Sequence, residues 1–272
     1  MPTFNRLKLL SRALDSVFQQ SVAVDEITVI DDGSDDGTSD WLTEHYPAIK
    51  LLKQTNQGVS AARNAGIRAA KYDWIALLDS DDEWLPDKIV EIKKYHQLHA
   101  KIKLIHSEEI WIRDGVRVNA MNKHRKQGGW IYQQCLPLCV ISPSAVVLRR
   151  ELFDEVGLFD ENLPACEDYD LWLRICQSYE VGYIEQPLIK KYGGHRDQLS
   201  SKFWGMDRFR IRVLNQILDL ETLNDCDRKA TEVILQKKLR ILINGAKKHD
   251  NQTVLDEFLP MLKQNSKVTI TC

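Results

Sequence analysis

The chain has 272 residues, 43% of them hydrophobic and 28% charged, with 37 Lys and Arg against 39 Asp and Glu for a formal charge of −2. This composition excludes disorder, collagen and coiled coil, and it lacks the concentrated positive charge that nucleic-acid binding by counterion release requires. No apolar run approaches the roughly 18 residues needed to span a bilayer, and Met1 to Arg6 lacks the apolar stretch of a signal peptide, so a cytoplasmic location is expected.

From Asn5 to Gln20 the apolar residues Leu7, Leu10, Leu14 and Val17 recur at helical spacing, which predicts an amphipathic helix. A strand from Glu26 to Asp31 follows. It exits into a segment dense in Asp, Ser and Gly that ends at Thr38, a residue suited to cap a short helix reaching Tyr46. The pattern repeats with a strand near Ile49 to Lys53, a loop at Asn56 to Gly58, a small-residue helix from Ser60 to Lys71 and a strand from Trp74 to Leu78. Such alternation implies a largely parallel sheet covered by helices on both faces. A helix starting after Pro86 runs to Leu98, and Ile110 to Val118 reads as a hairpin turning on Asp114-Gly115, which brings antiparallel strands into the second half. A strand at Ala145 to Leu148, a helix from Asp168 to Ser178 and strands at Val181 to Ile184 and Leu188 to Tyr192 complete this region. Only helical patterns follow, at Phe203 to Leu218, Arg228 to Lys248 and Thr253 to Lys263. The chain thus divides into an α/β domain over 1–200 and a helical region over 201–272. The six cysteines form no C-x-x-C pair and read as small buried hydrophobes in a reducing compartment.

Three acidic clusters sit where an α/β sheet places its ligands, at the carboxyl ends of strands. Asp31-Asp32 ends the first of these strands. A carboxylate there accepts hydrogen bonds from a base or a ribose, or simply caps a solvated turn. Asp79-Ser80-Asp81-Asp82 ends the Trp74 strand. In extended chain Asp79 and Asp81 project to one face and can converge on Mg²⁺ or Mn²⁺, whose shell waters and substrate phosphates then complete. Glu167-Asp168 opens a helix on which Leu171, Trp172 and Ile175 share the face of Asp168. A carboxylate in that position either complements the helix N-terminus or serves as a general base in a sheltered cleft.

In chain order, Pro2-Thr3-Phe4-Asn5-Arg6, Ile30-Asp31-Asp32-Gly33-Ser34, Asn56 through Gly66, Leu78 through Asp82 and Glu167-Asp168 with Leu171-Trp172-Leu173-Arg174 resemble glycosyltransferase family 2, the inverting transferases of the GT-A fold. The resemblance covers about residues 1–200. It implies a GT-A nucleotide-diphospho-sugar transferase fold, a mixed, mostly parallel sheet flanked by helices, with a C-terminal helical extension. It also implies roles. Asp32 would read the nucleotide base beside Pro2 and Thr3, with Gly58, Arg63, Asn64, Asp79 and Ser80 framing the donor. Asp81 and Asp79, with His195, would hold Mn²⁺ or Mg²⁺, and Asp168 would be the catalytic base, with Glu167 and Trp172 at the acceptor. The donor would be a nucleoside-diphosphate sugar, a UDP-sugar first among them, and the acceptor a glycan or lipid-linked hydroxyl.

The Q-x-x-R-W motif of processive synthases is absent, so a single-sugar transfer in lipopolysaccharide or other surface-polysaccharide synthesis is expected. The alternative is a catalytically weak glycan-binding or scaffold member of the same fold. Family members also carry an apolar strand ahead of the Pro-Thr-aromatic-Asn segment, and Met1 stands where that strand would end. The expectation is a sheet one strand short, filled by residues upstream of Met1 or by another segment such as Lys267 to Cys272. The basic residues after Phe203, including Arg208, Arg210, Arg212, Lys237, Lys238, Arg240, Lys247 and Lys248, read first as solvated faces of packed helices. Their sharper reading is peripheral contact with an anionic membrane at the inner face of the plasma membrane.

Overall fold

The computed structural model of the protein describes residues 1–119, 124–194 and 203–265. His195 and the Lys267 to Cys272 segment lie outside them. Pro2–Thr3 (β1), Thr28–Asp31 (β2) and Lys50–Lys53 (β3) form a parallel sheet in the order β1-β2-β3, with Pro2 opposite Ile30 and Thr28 opposite Lys50. Helices Leu7–Phe18 (α1) and Thr38–His45 (α2) connect these strands, and Val59–Ala69 (α3) leads from β3 toward the second sheet. Leu10, Leu14, Val29 and Leu42 meet in a small apolar core there, as the helical spacing of the leucines requires.

A second sheet contains Trp74–Ala76 (β4), Glu83–Trp84 (β5), Leu104–Arg113 (β6), Val116–Val118 (β7), Val147–Arg149 (β8) and Val181–Gly193 (β9). Its order is β4-β8-β6-β9-β5, with β7 paired to β6 as the Asp-Gly hairpin. The sheet is mixed: β6 and β9 run parallel, whereas β8 is antiparallel to both β4 and β6. The two strands expected at 181–184 and 188–192 are one. The register between β6 and β9 shifts at Ser107 to Glu109, opposite Pro187, and that irregularity lets a proline, which has no N–H for the ladder, sit inside a long strand.

Helices Lys88–Leu98 (α4), Tyr132–Cys135 (α5), Glu151–Val156 (α6) and Glu167–Cys176 (α7) flank this sheet, and Asp207–Leu218 (α8), Asp225–Lys248 (α9) and Gln252–Asn265 (α10) follow. The last three share one apolar core with α7, through Phe209, Leu214, Leu239 and Phe258 packed with Leu171 and Trp172. Several basic residues of this region are engaged in ion pairs within the helices. Lys238 donates to Pro137 O and pairs with Asp207, Arg210 pairs with Asp207, and Arg212 pairs with Glu257. Lys237, Arg240, Lys247 and Lys248 remain exposed. Among the described residues no helix is long and apolar enough to cross a membrane. Cys135, Cys166 and Cys176 are buried, and Cys226 is exposed.

Among the described residues the two sheets do not join: β1 pairs only with β2 and β4 only with β8, and between these edges lies a groove of about 440 Å³ lined by Met1, Ile27, Ile30, Ile75, Leu77 and Ile89 among others. Residue 1 already lies in strand register, its nitrogen donating to Thr28 O and its carbonyl accepting from Ile30 N, both at 2.9 Å. A backbone laid through the groove would satisfy two unpaired strand edges and exclude water from apolar walls. Five apolar β-branched residues engineered ahead of Pro2 are therefore expected to raise Tm by roughly 3–6 °C, equivalent to about 1–2 kcal/mol. Calorimetry against a Gly-Ser extension of equal length checks this, and equal Tm values would show that the groove does not take a strand.

Candidate active site

The carboxyl ends of β1, β2 and β4 and the start of α7 converge on a second cavity, of about 720 Å³. Pro2, Thr3, Asp32, Gly58, Arg63, Asp79, Ser80, Asp81, Glu167 and Asp168 of the expected set all line it.

Asp32 is buried and already engaged. One oxygen accepts from Gln54 Nε2 (2.7 Å) and Gln57 N (2.9 Å), and the other from Gly58 N (2.8 Å). An ionised carboxylate offers about four acceptor sites, so one is left for a ligand. Gly33 makes this packing of turn against loop feasible: its φ is +85°, and a Cβ there would lie 2.8 Å from Asn56 N. Gly58, with φ +92°, presents its N–H to Asp32 as it leads into α3.

The second and third acidic clusters are tied together by Arg63, which is 5% exposed. Its two terminal nitrogens reach Asp79 Oδ1 and Glu167 Oε1, each at 2.6 Å. Burial pushes the Asp79 carboxyl up, but the Arg63 charge outweighs it and holds this group below its ordinary value. Burial, reinforced by the neighbouring Asp168 charge, raises Glu167 despite Arg63. Asp82 is raised to about 8 by burial and by the charges of Asp81 and Asp79, and it accepts hydrogen bonds from Ser144 Oγ and Tyr192 N. Asp81 faces the cavity and pairs with Arg6 at 2.7 Å.

Asp168 is half-buried beside the fully packed Glu167. Its Oδ1 accepts from the Tyr169 backbone N–H at 2.7 Å and its Oδ2 from the Cys139 thiol at 3.3 Å. The residue before this helix, Cys166, has φ +66°, a left-handed conformation that costs a side-chain-bearing residue on the order of 1–3 kcal/mol. That backbone turn delivers Glu167 and Asp168 into the cavity together.

Two expected site residues lie elsewhere. Asn64 is 1% exposed and clamps α3 to the Phe159 segment, its amide donating to Phe159 O and its carbonyl accepting from Phe159 N. Its side chain thus brackets two segments, and it is not among the residues that line the cavity. Trp172 is likewise 1% exposed, with its indole N–H donating to Ile141 O. It shares a helix face with Asp168, but one turn further on it is packed into the core and is not among the residues that line the cavity. Conversely, Arg6, Asp82, Lys191 and Tyr192 line the cavity without having been singled out. Arg6 stood within a recognised motif, whereas Lys191 carried no local signal beyond a lysine pair in an apolar strand.

For a divalent cation the donor set is open. Asp79 and Asp81 present carboxylates to one cavity, which suits Mg²⁺ or Mn²⁺ completed by water and phosphate oxygens. Among the described residues no group of three His, Cys, Asp or Glu forms a closed cage.

A split α/β sheet with acidic strand ends around one cleft is the architecture of the GT-A nucleotide-sugar transferases. The S. aureus TarS 1–349 structure in complex with UDP-GlcNAc superposes with a TM-score of 0.67 at 19% identity, over 88% of this chain and 70% of that one. The mannosyltransferase PcManGT of Pyrobaculum calidifontis, in complex with GDP-Man and Mn²⁺, gives 0.56 at 16% identity, over 97% and 82%. These likenesses establish the fold. The model of glycosyl transferase family 2 matches residues 1–157, and the chain belongs to that family. An uncharacterised glycosyltransferase of Rickettsia conorii is 32% identical over 205 residues, 70% of this chain but 32% of that protein. The uncharacterised glycosyltransferase YwdF of Bacillus subtilis is 29% identical over 240 residues, 86% of this chain and 87% of its own length. The chain thus spans about a third of the Rickettsia relative and most of the Bacillus one.

Proposed function

We propose that this chain is a non-processive inverting glycosyltransferase acting from the cytoplasmic side. It would move one sugar from a nucleoside-diphosphate sugar to a glycan or lipid-linked hydroxyl in surface-polysaccharide or lipopolysaccharide assembly. Residues 1–200 form the transferase domain of this reading, and 201–272 its helical extension. The observation that carries it is the division of labour among the carboxylates. Asp32 lines the cavity with its carboxylate held by the Gln54 to Gly58 loop, Asp79 and Asp81 line it after β4, and the half-buried Asp168 adjoins a Glu167 that is paired with Arg63. TarS in complex with UDP-GlcNAc and with UDP supports a nucleotide-sugar donor.

In this reading Asp168 takes the proton of the acceptor hydroxyl as its oxygen attacks the anomeric carbon, and the nucleoside diphosphate leaves from the opposite face. One displacement inverts the anomeric configuration, with no need for the second carboxylate nucleophile of a two-step retaining route. Asp81, with Asp79 beside it, would hold a divalent cation, which supplies positive charge against the diphosphate.

A screen of UDP-, GDP-, CDP- and dTDP-sugars with Mn²⁺ or Mg²⁺ tests the proposal. One donor is expected to bind and to hydrolyse slowly in a way that EDTA stops, releasing the sugar first as the inverted anomer by NMR. No response to any donor would favour the scaffold reading.

A further inference from the structure

The cavity is strongly acidic. Among the described residues its walls carry Asp32, Asp79, Asp81, Asp82, Glu167 and Asp168 against Arg6, Arg63 and Lys191. Arg63 is committed through both terminal nitrogens to Asp79 and Glu167, and Arg6 is engaged with Asp81. Lys191 differs from both. Its ammonium donates to a neutral group, Ser142 Oγ, at 2.9 Å, and lies 5.9 Å from the centre of the Trp111 ring. An ammonium has three donors, and Lys191 is among the residues that line the cavity, together with Asp79 to Asp82 and Asp168. Burial pulls the amine down, but the neighbouring acidic groups, Glu109 first among them, outweigh it and raise the amine above its ordinary value. Glu109 itself is met by Lys126 at 3.4 Å and by Ser142 and Trp111.

Resting on the donor reading above, we propose that Lys191 is the protein's own binding cation for the donor diphosphate. It turns its remaining N–H groups onto the phosphate oxygens in a charge-assisted hydrogen bond. As the acceptor oxygen bonds to the anomeric carbon, the bond from that carbon to the diphosphate oxygen breaks. The electron pair leaves with the nucleoside diphosphate, against the Lys191 charge, while the acceptor proton passes to Asp168. β9 carries this lysine to the cavity wall beside Tyr192, whose backbone N–H donates to Asp82 at 2.9 Å.

The test is a binding ladder on the full chain by calorimetry with Mg²⁺ present. The best-bound of UDP, GDP, CDP and dTDP is compared with its own monophosphate and nucleoside, for the native protein and for Lys191→Met. Lys191→Met is expected to weaken diphosphate binding about 10- to 100-fold while leaving the nucleoside unchanged and Tm within a few degrees, and Lys191→Arg to restore most of the loss. Lys191→Gln, which can still bond Ser142, gives the same comparison if the methionine variant does not fold. Unchanged diphosphate affinity, or equal losses for diphosphate and nucleoside, would overturn the assignment and leave Lys191 a structural residue. A native protein that binds none of the four diphosphates would remove the donor reading itself, and Lys191's role with it.

Discussion

Asp168→Asn is expected to lose sugar transfer, with kcat down by about 10²–10⁴ or more, while donor affinity stays within about twofold of the native protein. The reasoning is local. Asparagine keeps an oxygen to accept the Tyr169 backbone N–H, the 2.7 Å bond that fixes this side chain at the start of α7, so the first turn is preserved. What disappears is the ability to take a proton. The donor-binding contacts assigned to Asp32, Asp79 and Asp81 lie in the loops after β2 and β4 and are untouched. Glu167 cannot substitute, because Arg63 holds it at 2.6 Å. Single-turnover transfer and donor titration, measured on the same preparation, separate the two quantities. A variant that turns over at the native rate would show that another group is the base, and parallel loss of donor affinity would show that the substitution had disturbed the whole cavity.

The strand ends that carry this chemistry were legible in the sequence for a physical reason. Asp32, Asp79 and Asp81 each follow a short apolar run, and a run that ends in carboxylates must stop where the sheet meets solvent or ligand. Gly58 and Arg63 were expected at the site only through the family resemblance, and both line the same cavity as Asp168. Contacts between distant segments were not legible. Asn64 reads as a polar residue on a small-residue helix, and only its pairing with Phe159, 95 positions away, reveals that it is a bracket. Trp172 has the same helical spacing whether its face meets core or cleft, and the packing of α8 and α9 decides for core. The Glu185-Gln186-Pro187 break in β9 looks like a loop until the β6 register shift accommodates it. Lys191 is invisible for the same reason, since its meaning lies in the acids near it on the β4–β5 loop, β6 and α7.

The largest effect on stability is expected from Arg63→Met. Methionine fills much of the same space but leaves Glu167, whose side chain is 6% exposed, and Asp79, whose side chain is 28% exposed, without the guanidinium that neutralises them. Breaking a buried pair by removing one partner costs about 3–5 kcal/mol, because the remaining charge stays desolvated. For a chain of this size that corresponds to a fall in Tm of roughly 6–20 °C. Arg63→Lys should recover only part of it, since one ammonium cannot span two carboxylates that the planar guanidinium reaches through separate nitrogens. The two acids are not equivalent. Asp79 opens on the cavity and can be rehydrated, whereas Glu167 is packed beneath Asp168, so the orphaned Glu167 should account for most of the deficit. Adding Glu167→Gln to Arg63→Met is therefore expected to restore more than half of the lost stability, although each single change destabilises. A double-mutant cycle by calorimetry measures this coupling. Additive losses would mean that Arg63 stabilises the fold through its stacking on Phe159, 5.2 Å away, and not through the carboxylates it joins.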